Sequence, residues 1–328
     1  MNFNEDAVFS FGDPEPIRRE RVLDYLGVFP CATGEYYLPP IDLWGLATMR
    51  RANGHHGSCV IFRRNMAARA YVSGPLPVAE LRSAVTDFLT WGNAYFAWRR
   101  NRLGVPMGLQ HVPGLNMRVK TPGAGGGFRR LLPDGRHLDY APGEILHVKE
   151  YDCCQQIYGV PDWIGGLQAA LLNEDATLFR RRYYVNGAHL GYILYSNDAK
   201  IDPDLRDAIK ARFREGKGIG NFKSAFIHIP NGNEKALQVI PIGDISQKDE
   251  FLNVKNISAD DVRAAHRVPP VLMGLAPTNG VGGLGDPVKV RKVYIETEVE
   301  ALAQNFTALN EILPTGMKFI FNTEVNDV

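Results

Sequence analysis

A chain of 328 residues with 45% hydrophobic and 22% charged side chains has the make-up of a folded protein, not of a disordered one. Its 37 basic and 36 acidic residues argue against a free-standing nucleic-acid binder, which carries a basic excess, but leave room for a protein that surrounds nucleic acid without gripping it. Cys31, Cys59, Cys153 and Cys154 form no CxxC pair and no leader or membrane-spanning stretch is visible, so a reduced, cytosolic setting is expected at synthesis.

Residues 1 to about 40 are rich in Pro and polar residues and are expected as an extended arm. After Pro75-Leu-Pro77, the apolar residues Val78, Leu81, Val85, Phe88 and Leu89 recur at helical spacing, and Gly92-Asn93 closes the helix. Short strands are expected at 95–99, 109–112, 117–120, 129–132 and 145–149, separated by Gly/Pro turns. Gly123-Ala-Gly-Gly-Gly127 reads as a flexible loop. A helix over 164–185, ended by Asn186-Gly187, leads into a small α/β insert. That insert holds a strand at 192–195, a helix from Asp202-Pro203 through Arg214, and a hairpin joining 225–229 to 237–242. A second long helix spans 246–266, with a break expected near Ser258, where Ser258-Ala-Asp-Asp261 resembles a capping box and Ile257 and Val262 a staple. Asp286-Pro287 starts a third, in which Ile295, Val299, Leu302, Phe306, Leu309 and Leu313 alternate at steps of four and three. A last strand is expected at 317–322.

Residues 268–285 read VPPVLMGLAPTNGVGGLG, without one Asp, Glu, Lys or Arg. A connection this long inside a compact domain is more often functional than accidental. Each phosphate held by Lys or Arg adds affinity through counterion release, so a segment without charge touches a polyanion but does not hold it. Thr278, Asn279, Gly280, Val281, Gly282 and Gly283 are the candidate contact residues of this segment; their expected place as a DNA-channel lining follows from the resemblance described below.

Other chemistry is weaker. Gly280-Val-Gly-Gly-Leu-Gly285 matches GxGxxG, but Pro269-Pro270 and Pro277-Thr-Asn279 before it are not the strand a dinucleotide site requires. In Gly216-Lys-Gly-Ile-Gly220 with Lys223-Ser224, Phe222 stands where a phosphate loop needs glycine. His55, His56 and Cys59 form one ligand-like cluster without a partner cluster, and read instead as a polar turn entering a strand at 59–63. With no HExxH, GxSxG or Walker A pattern and no paired carboxylates, no catalytic residue, cofactor or metal is assigned. A nucleotide- or phosphate-dependent enzyme using the Gly-rich segments is the competing reading. The insert's helix carries Arg206, Lys210, Arg212, Arg214 and Lys217 against Asp204, Asp207 and Glu215, either a solvated face or a docking face. Arg180, Arg181 and Arg182 on one flanking helix oppose Asp249, Glu250, Asp260 and Asp261 on the other. Such surface charges are worth little in a monomer, but between neighbours in a ring they would set register.

Phe9-Ser-Phe-Gly-Asp-Pro14, Gly92-Asn-Ala-Tyr95, Tyr158-Gly-Val-Pro161, Leu171-Leu-Asn-Glu-Asp-Ala-Thr-Leu-Phe-Arg-Arg181, Tyr184-Val-Asn-Gly187, Lys248-Asp-Glu-Phe-Leu-Asn253 and Ala264-Ala-His-Arg-Val-Pro-Pro270 occur in an order that resembles the PBSX-type portal proteins of long-tailed bacteriophages, from about residue 9 to about 322. The resemblance implies an α+β portal fold: an N-terminal arm (1–39), a wing (40–163) completed by a wing helix and C-terminal strand (287–328), stem helices (164–186 and 246–267) on either side of a clip (187–245), a tunnel loop (268–286), and a crown that is small or absent. It implies a homo-oligomeric ring, usually of twelve subunits, at one capsid vertex of the virion, assembled in the host bacterial cytoplasm with the major capsid and scaffold proteins. Such a ring docks the terminase large subunit for DNA packaging, passes double-stranded DNA non-specifically, and later joins a head-tail connector or head-completion protein for DNA ejection. On this resemblance the basic clip helix is the partner dock and the opposed charges at 180–182, 249–250 and 260–261 are inter-subunit stem contacts. No enzyme activity, cofactor or membrane partner is implied. A connector or adaptor is the other ring component to consider, but those chains are generally shorter and lack a clip between two stem helices.

Overall fold

The computed structural model describes residues 27–185, 192–196, 237–241, 248–275 and 286–324. Asn173–Lys255 cluster in one compact unit, and Arg18–Leu172 with Asn256–Val328 in the other.

The larger unit opens with helices α1 (Leu43–Ala52) and α2 (Gly54–Ala70). Asp42 caps the first by accepting from the Trp44 amide at 3.0 Å, and Asn53 caps the second by accepting from the His56 amide at 2.9 Å, each satisfying a donor that the first helical turn leaves free. The expected strand at 59–63 is therefore helical. Its buried face runs through His56, Cys59, Val60, Arg63 and Ala67, and two polar members of that stripe hide its period from a hydrophobicity reading.

Strand β1 (Tyr71–Ser73) precedes α3 (Val78–Trp91), which ends as expected at Gly92. Gly92 has φ 70°, and a Cβ on it would stand 2.5 Å from the Val160 carbonyl carbon, so both conformation and space demand glycine. Strand β2 (Asn93–Arg100) follows, between antiparallel neighbours β3 (Pro106–Val112) and β7 (Ile145–Lys149), with Tyr95 opposite both Val112 and His147. A second sheet has the order β4 (Met117–Val119), β5 (Phe128–Leu131), β6 (His137–Tyr140). Strand β6 was not expected: it is exposed along nearly its whole length, and Leu138 and Tyr140 alone are too few to set a period. The stretch 123–127, expected as a flexible loop, is a built turn. Gly125, Gly126 and Gly127 all have positive φ, and a Cβ on Gly127 would fall 2.2 Å from the Tyr140 carbonyl oxygen.

Helix α4 (Leu167–Val185) begins after a 3-10 turn at Ile164–Gly166. Strand β8 (Tyr192–Ser196) pairs antiparallel with β9 (Leu237–Pro241); the partner expected for the latter, 225–229, lies outside the described residues. Helix α5 (Lys248–Ala265) is continuous through Ser258. The expected break does not form because Val262 is buried while Ile257 is 61% exposed, so the two cannot staple together.

Residues 270–273, expected without structure, make a 3-10 turn closed by Gly274 at φ 73°. Asp286 then caps α6 (Pro287–Tyr294) by accepting from the Val288 amide at 2.9 Å. The rod continues through a π turn (Ile295–Val299) into α7 (Glu300–Thr307) and a 3-10 turn (Ala308–Glu311). The Glu300 amide donates to the Ile295 carbonyl, and this wider turn inserts a five-residue step between the buried Tyr294 and Val299. Tyr294 is buried beside Val299, and the expected Ile295 is partly buried against the same cluster. Strand β10 (Ile320–Phe321), shorter than expected, pairs with β1.

The main core lies between the β2 sheet, α3 and α7: Leu81, Val85, Phe88, Phe96, Leu109, Leu302, Phe306 and Phe319 are all buried in one cluster. The fold is α+β.

Candidate functional site

The polar chemistry gathers at the foot of the uncharged segment. Arg63 of α2 donates from both terminal nitrogens to Asp162, at 3.0 and 2.7 Å. Arg267, two residues past α5, donates to the same carboxylate and, through Nε, to both oxygens of Glu298 at 2.9 and 2.8 Å. Burial would raise the Asp162 pKa, but the hydrogen bonds and charges of Arg63 and Arg267 outweigh it and hold the group at about 2. Asp162 thus fastens the approach to α4, the exit of α5 and helix α2 to one another. Glu298, in the π turn, fastens the far flank of residues 268–286 to the near one. A π turn within a helix often marks a functional position.

Arg267 is unusual in its backbone as well. Among the described residues it is the non-glycine with positive φ (54°). Its amide donates to Ala264 O at 2.9 Å and that of Val268 to Arg263 O at 3.0 Å, a Schellman ending in which glycine is the usual residue at this place. Arginine there carries conformational strain, which its bonds to Asp162 and Glu298 offset. Beside this clasp lies an open groove of about 470 Å³, lined by Arg267, Pro269, Val290, Val293, Tyr294 and Thr297 among others.

Behind the clasp, His56 Nδ1 and His266 Nε2 lie 2.8 Å apart, both side chains 1% exposed. The Trp163 ring stands 4.2 Å from the first and 5.5 Å from the second. One imidazole must donate and the other accept, which excludes two imidazoliums, and burial disfavours a charge on either ring. Burial, then the Arg50 charge, lowers His56 to about 4; burial, then His56 and Arg63, lowers His266 to about 2. These folded-state values lie below the free value of 6.5, so on acidification the unfolded chain takes up protons first. Stability is expected to fall from about pH 6.5 downward, by about 1.4 kcal/mol per pH unit for each histidine held neutral. The Asp162 contribution is lost only between 3.8 and about 2. Urea unfolding at pH 7 and pH 5 checks this; equal midpoints would contradict a buried neutral pair.

The turn leading to Asp162 is fixed by two of the segments that carry the family resemblance. Asn93 Oδ1 accepts from the Gly159 amide at 2.7 Å and its Nδ2 donates to Gly159 O at 2.9 Å, so one side chain pairs with both polar groups of that residue's backbone. The Tyr158 hydroxyl donates to Tyr37 O at 2.7 Å and accepts from the Val119 amide at 2.9 Å. Trp163 Nε1 donates to Leu89 O at 2.6 Å.

Thr278, Asn279, Gly280, Val281, Gly282 and Gly283 lie outside the described residues, as do Arg206, Lys210, Arg212, Arg214 and Lys217, both Gly-rich phosphate candidates and the 186–187 cap. Arg180, Arg181 and Arg182 fall in α4, and Asp249, Glu250, Asp260 and Asp261 in α5. Arg180, Arg181 and Asp261 are exposed. Asp260 pairs with Arg263 of its own helix. The two helices run side by side: Asn173 Nδ2 donates to Lys255 O at 2.8 Å. His56 directs Nδ1 to His266, and Cys59 is buried in the same helix. Asp152, Cys153 and Cys154 bring possible ligand atoms within 4.8 Å, but both Asp152 oxygens already accept, from the Cys154 amide and Gln155 Nε2. Among the described residues no helix is long and apolar enough to cross a membrane.

Arg63, Asp162, His266, Arg267 and Glu298 were not singled out from the sequence as site residues. Asp162, His266 and Arg267 nonetheless lie in or beside the segments Tyr158–Pro161 and Ala264–Pro270, which carried the resemblance.

Residues 79–324 match the family profile described as phage portal protein. The chain is 40% identical over 306 residues to a probable portal protein of Haemophilus phage HP1, covering 91% of this chain and 87% of that one. It is 37% identical over 305 residues to a probable portal protein of Escherichia phage P2, covering 92% and 87%. Its fold is similar to a chain in the neck of a native gene transfer agent particle computed with C12 symmetry (TM-score 0.59, 19% identity, 88% and 86% covered). It is also similar to an HK97-family phage portal protein from Corynebacterium diphtheriae (TM-score 0.56, 18% identity, 81% and 92% covered).

Proposed function

Because this chain belongs to the phage portal protein family, we propose that identical copies close into a ring, of twelve subunits, at one vertex of a virion head. Double-stranded DNA passes through its bore during packaging and again during ejection. The observation that carries this reading is the stretch 268–285, free of charge and held at both flanks by the Asp162–Arg267–Glu298 clasp. A bore that many copies line must not retain phosphates, since each one neutralised adds affinity, and a lining without cations meets that demand. Thr278, Asn279, Gly280, Val281, Gly282 and Gly283 form this lining, while the clasp keeps its roots in place.

The C12 symmetry of the gene transfer agent neck supports the copy number. Residues 187–245 form the clip, whose Arg206, Lys210, Arg212, Arg214 and Lys217 dock first the terminase large subunit and then the head-tail connector or head-completion protein. Arg180, Arg181 and Arg182 of one copy face Asp249, Glu250 and Asp261 of the next and set register, with Asp260 contributing through its pair with Arg263. The ring is assembled in the host cytoplasm with the major capsid and scaffold proteins and performs no catalysis of its own.

Negative-stain images of the purified protein test the ring: particles with an axial hole are expected, and monodisperse monomers would overturn the reading. Asn279→Lys with Val281→Lys is expected to leave rings intact and slow packaging in a reconstituted motor assay; unchanged packaging would remove 268–285 from the bore.

A further inference from the structure

The wing separates its charges along the chain. No Asp or Glu occurs over residues 88–133, while no Lys or Arg occurs over residues 293–317, which hold Glu296, Glu298, Glu300 and Glu311. Structure places three basic residues of the first stretch, Arg99, Arg100 and Arg102, at one hairpin tip, and three acidic ones of the second, Glu296, Glu300 and Glu311, exposed along one rod.

The basic surface is the tip of the β2–β3 hairpin. Arg99, Arg100 and Arg102 are exposed there, and Leu103 is 87%, Met107 61% and Val105 52% exposed. The tip is rigid. Asn101 Oδ1 accepts from the Leu103 and Val105 amides at 2.9 and 3.0 Å, and the Asn101 amide donates to Val105 O at 2.9 Å. Arg100 lies 5.8 Å from the Trp98 ring centroid and donates to Gly104 O at 3.0 Å. Holding apolar side chains in water on a fixed turn lowers the entropy lost when a partner covers them.

The acidic surface is the outer stripe of the α6–α7 rod. Phe306 faces inward against Phe96, which leaves Glu296, Glu300, Gln304 and Glu311 exposed, with Val293 57% and Ile312 60% exposed near its ends. At 1.5 Å per residue the stripe is roughly 28 Å long, ample for a hairpin tip. Among the described residues, Arg99, Arg100, Arg102, Glu296, Glu300 and Glu311 form no ion pair within the copy.

We propose that the 99–107 hairpin tip of each copy docks on the Glu296–Glu300–Glu311 stripe of its neighbour and closes the wing layer of the ring. This rests on the ring reading above. A cyclic head-to-tail assembly needs two different, complementary patches on one chain, and these two match in charge sign and in apolar content. Opposite charges orient such a contact and exclude like-signed docking, while the apolar residues supply burial. A DNA partner would have no use for Leu103, Val105 and Met107.

Two charge-reversed variants test it: R99E/R100E/R102E, whose tip and stripe are both acidic, and E296R/E300R/E311R, whose tip and stripe are both basic. Each alone is expected to lose rings, by negative stain and sedimentation at about 0.15 M salt, where the Debye length is about 8 Å. Mixed in equal amounts they are expected to form rings again, because in alternation every contact then pairs opposite signs. Recovery on mixing also shows that both variants are folded. If the unaltered chain forms rings and either variant does so equally well alone, the tip serves an acidic surface outside the ring and the contact is wrong. Loss without recovery on mixing also overturns it. Absence of rings from the unaltered chain overturns the ring reading, and this contact with it.

Discussion

Asp162→Asn is expected to lower the unfolding free energy by about 3–5 kcal/mol, the range for breaking a buried ion pair from one side. The cost comes from what remains behind. Arg63 is 5% exposed and donates to both Asp162 oxygens; asparagine returns one acceptor and turns an amide toward the guanidinium. Arg267 loses a partner too, but its half-exposed side chain is solvated in compensation and contributes less. Adding Arg63→Met to Asp162→Asn is expected to recover part of the loss, because removing the orphaned charge is cheaper than burying it alone. Denaturant unfolding at pH 7 measures both. A loss below about 1 kcal/mol for the single variant would mean that the clasp does not hold the junction. The same substitution is expected to hasten protease cleavage within 268–285, since one root of that segment is then released.

Phe306→Ala is expected to cost about 3–5 kcal/mol, as for other large aromatic deletions from a packed core. Phe306 is 1% exposed, and its ring lies 5.6 Å from Phe88, 6.3 Å from Phe96 and 6.2 Å from Phe319. It is the point at which the long rod, the α3 helix and the β2 sheet meet. Its removal leaves a cavity that three rigid elements cannot close, so the lost contacts add to the lost burial. Ile320→Ala, at a side chain 52% exposed, is the control and is expected to shift stability by less than about 1 kcal/mol. Similar thermal midpoints for the two variants would show that the rod is not anchored through Phe306.

Local chemistry was enough to place α3 with its Gly92 ending, the strands β2, β3, β4, β5 and β7, the helix through 185 and the Asp286-Pro287 start. Each announces itself by apolar period or by a residue whose conformation has few alternatives. The absence of charge over 268–285, and the likeness to portals spread over many segments, are likewise properties of residue order alone. The clasp and the histidine pair were decided by tertiary structure. Arg63, Asp162, Arg267 and Glu298 stand far apart in the chain, and a carboxylate shows no sign of its partner until folding buries the two together. Helix α2 escaped for a related reason: His56 and Arg63 sit in a buried stripe that their polarity disguises. The π turn escaped because Ile295 and Val299 keep an ordinary helical step in the sequence, so nothing there marks the wider turn. Residue order declares which surfaces can avoid water. Only the closed fold, where desolvation makes an unpaired charge costly, decides which polar groups must find one another.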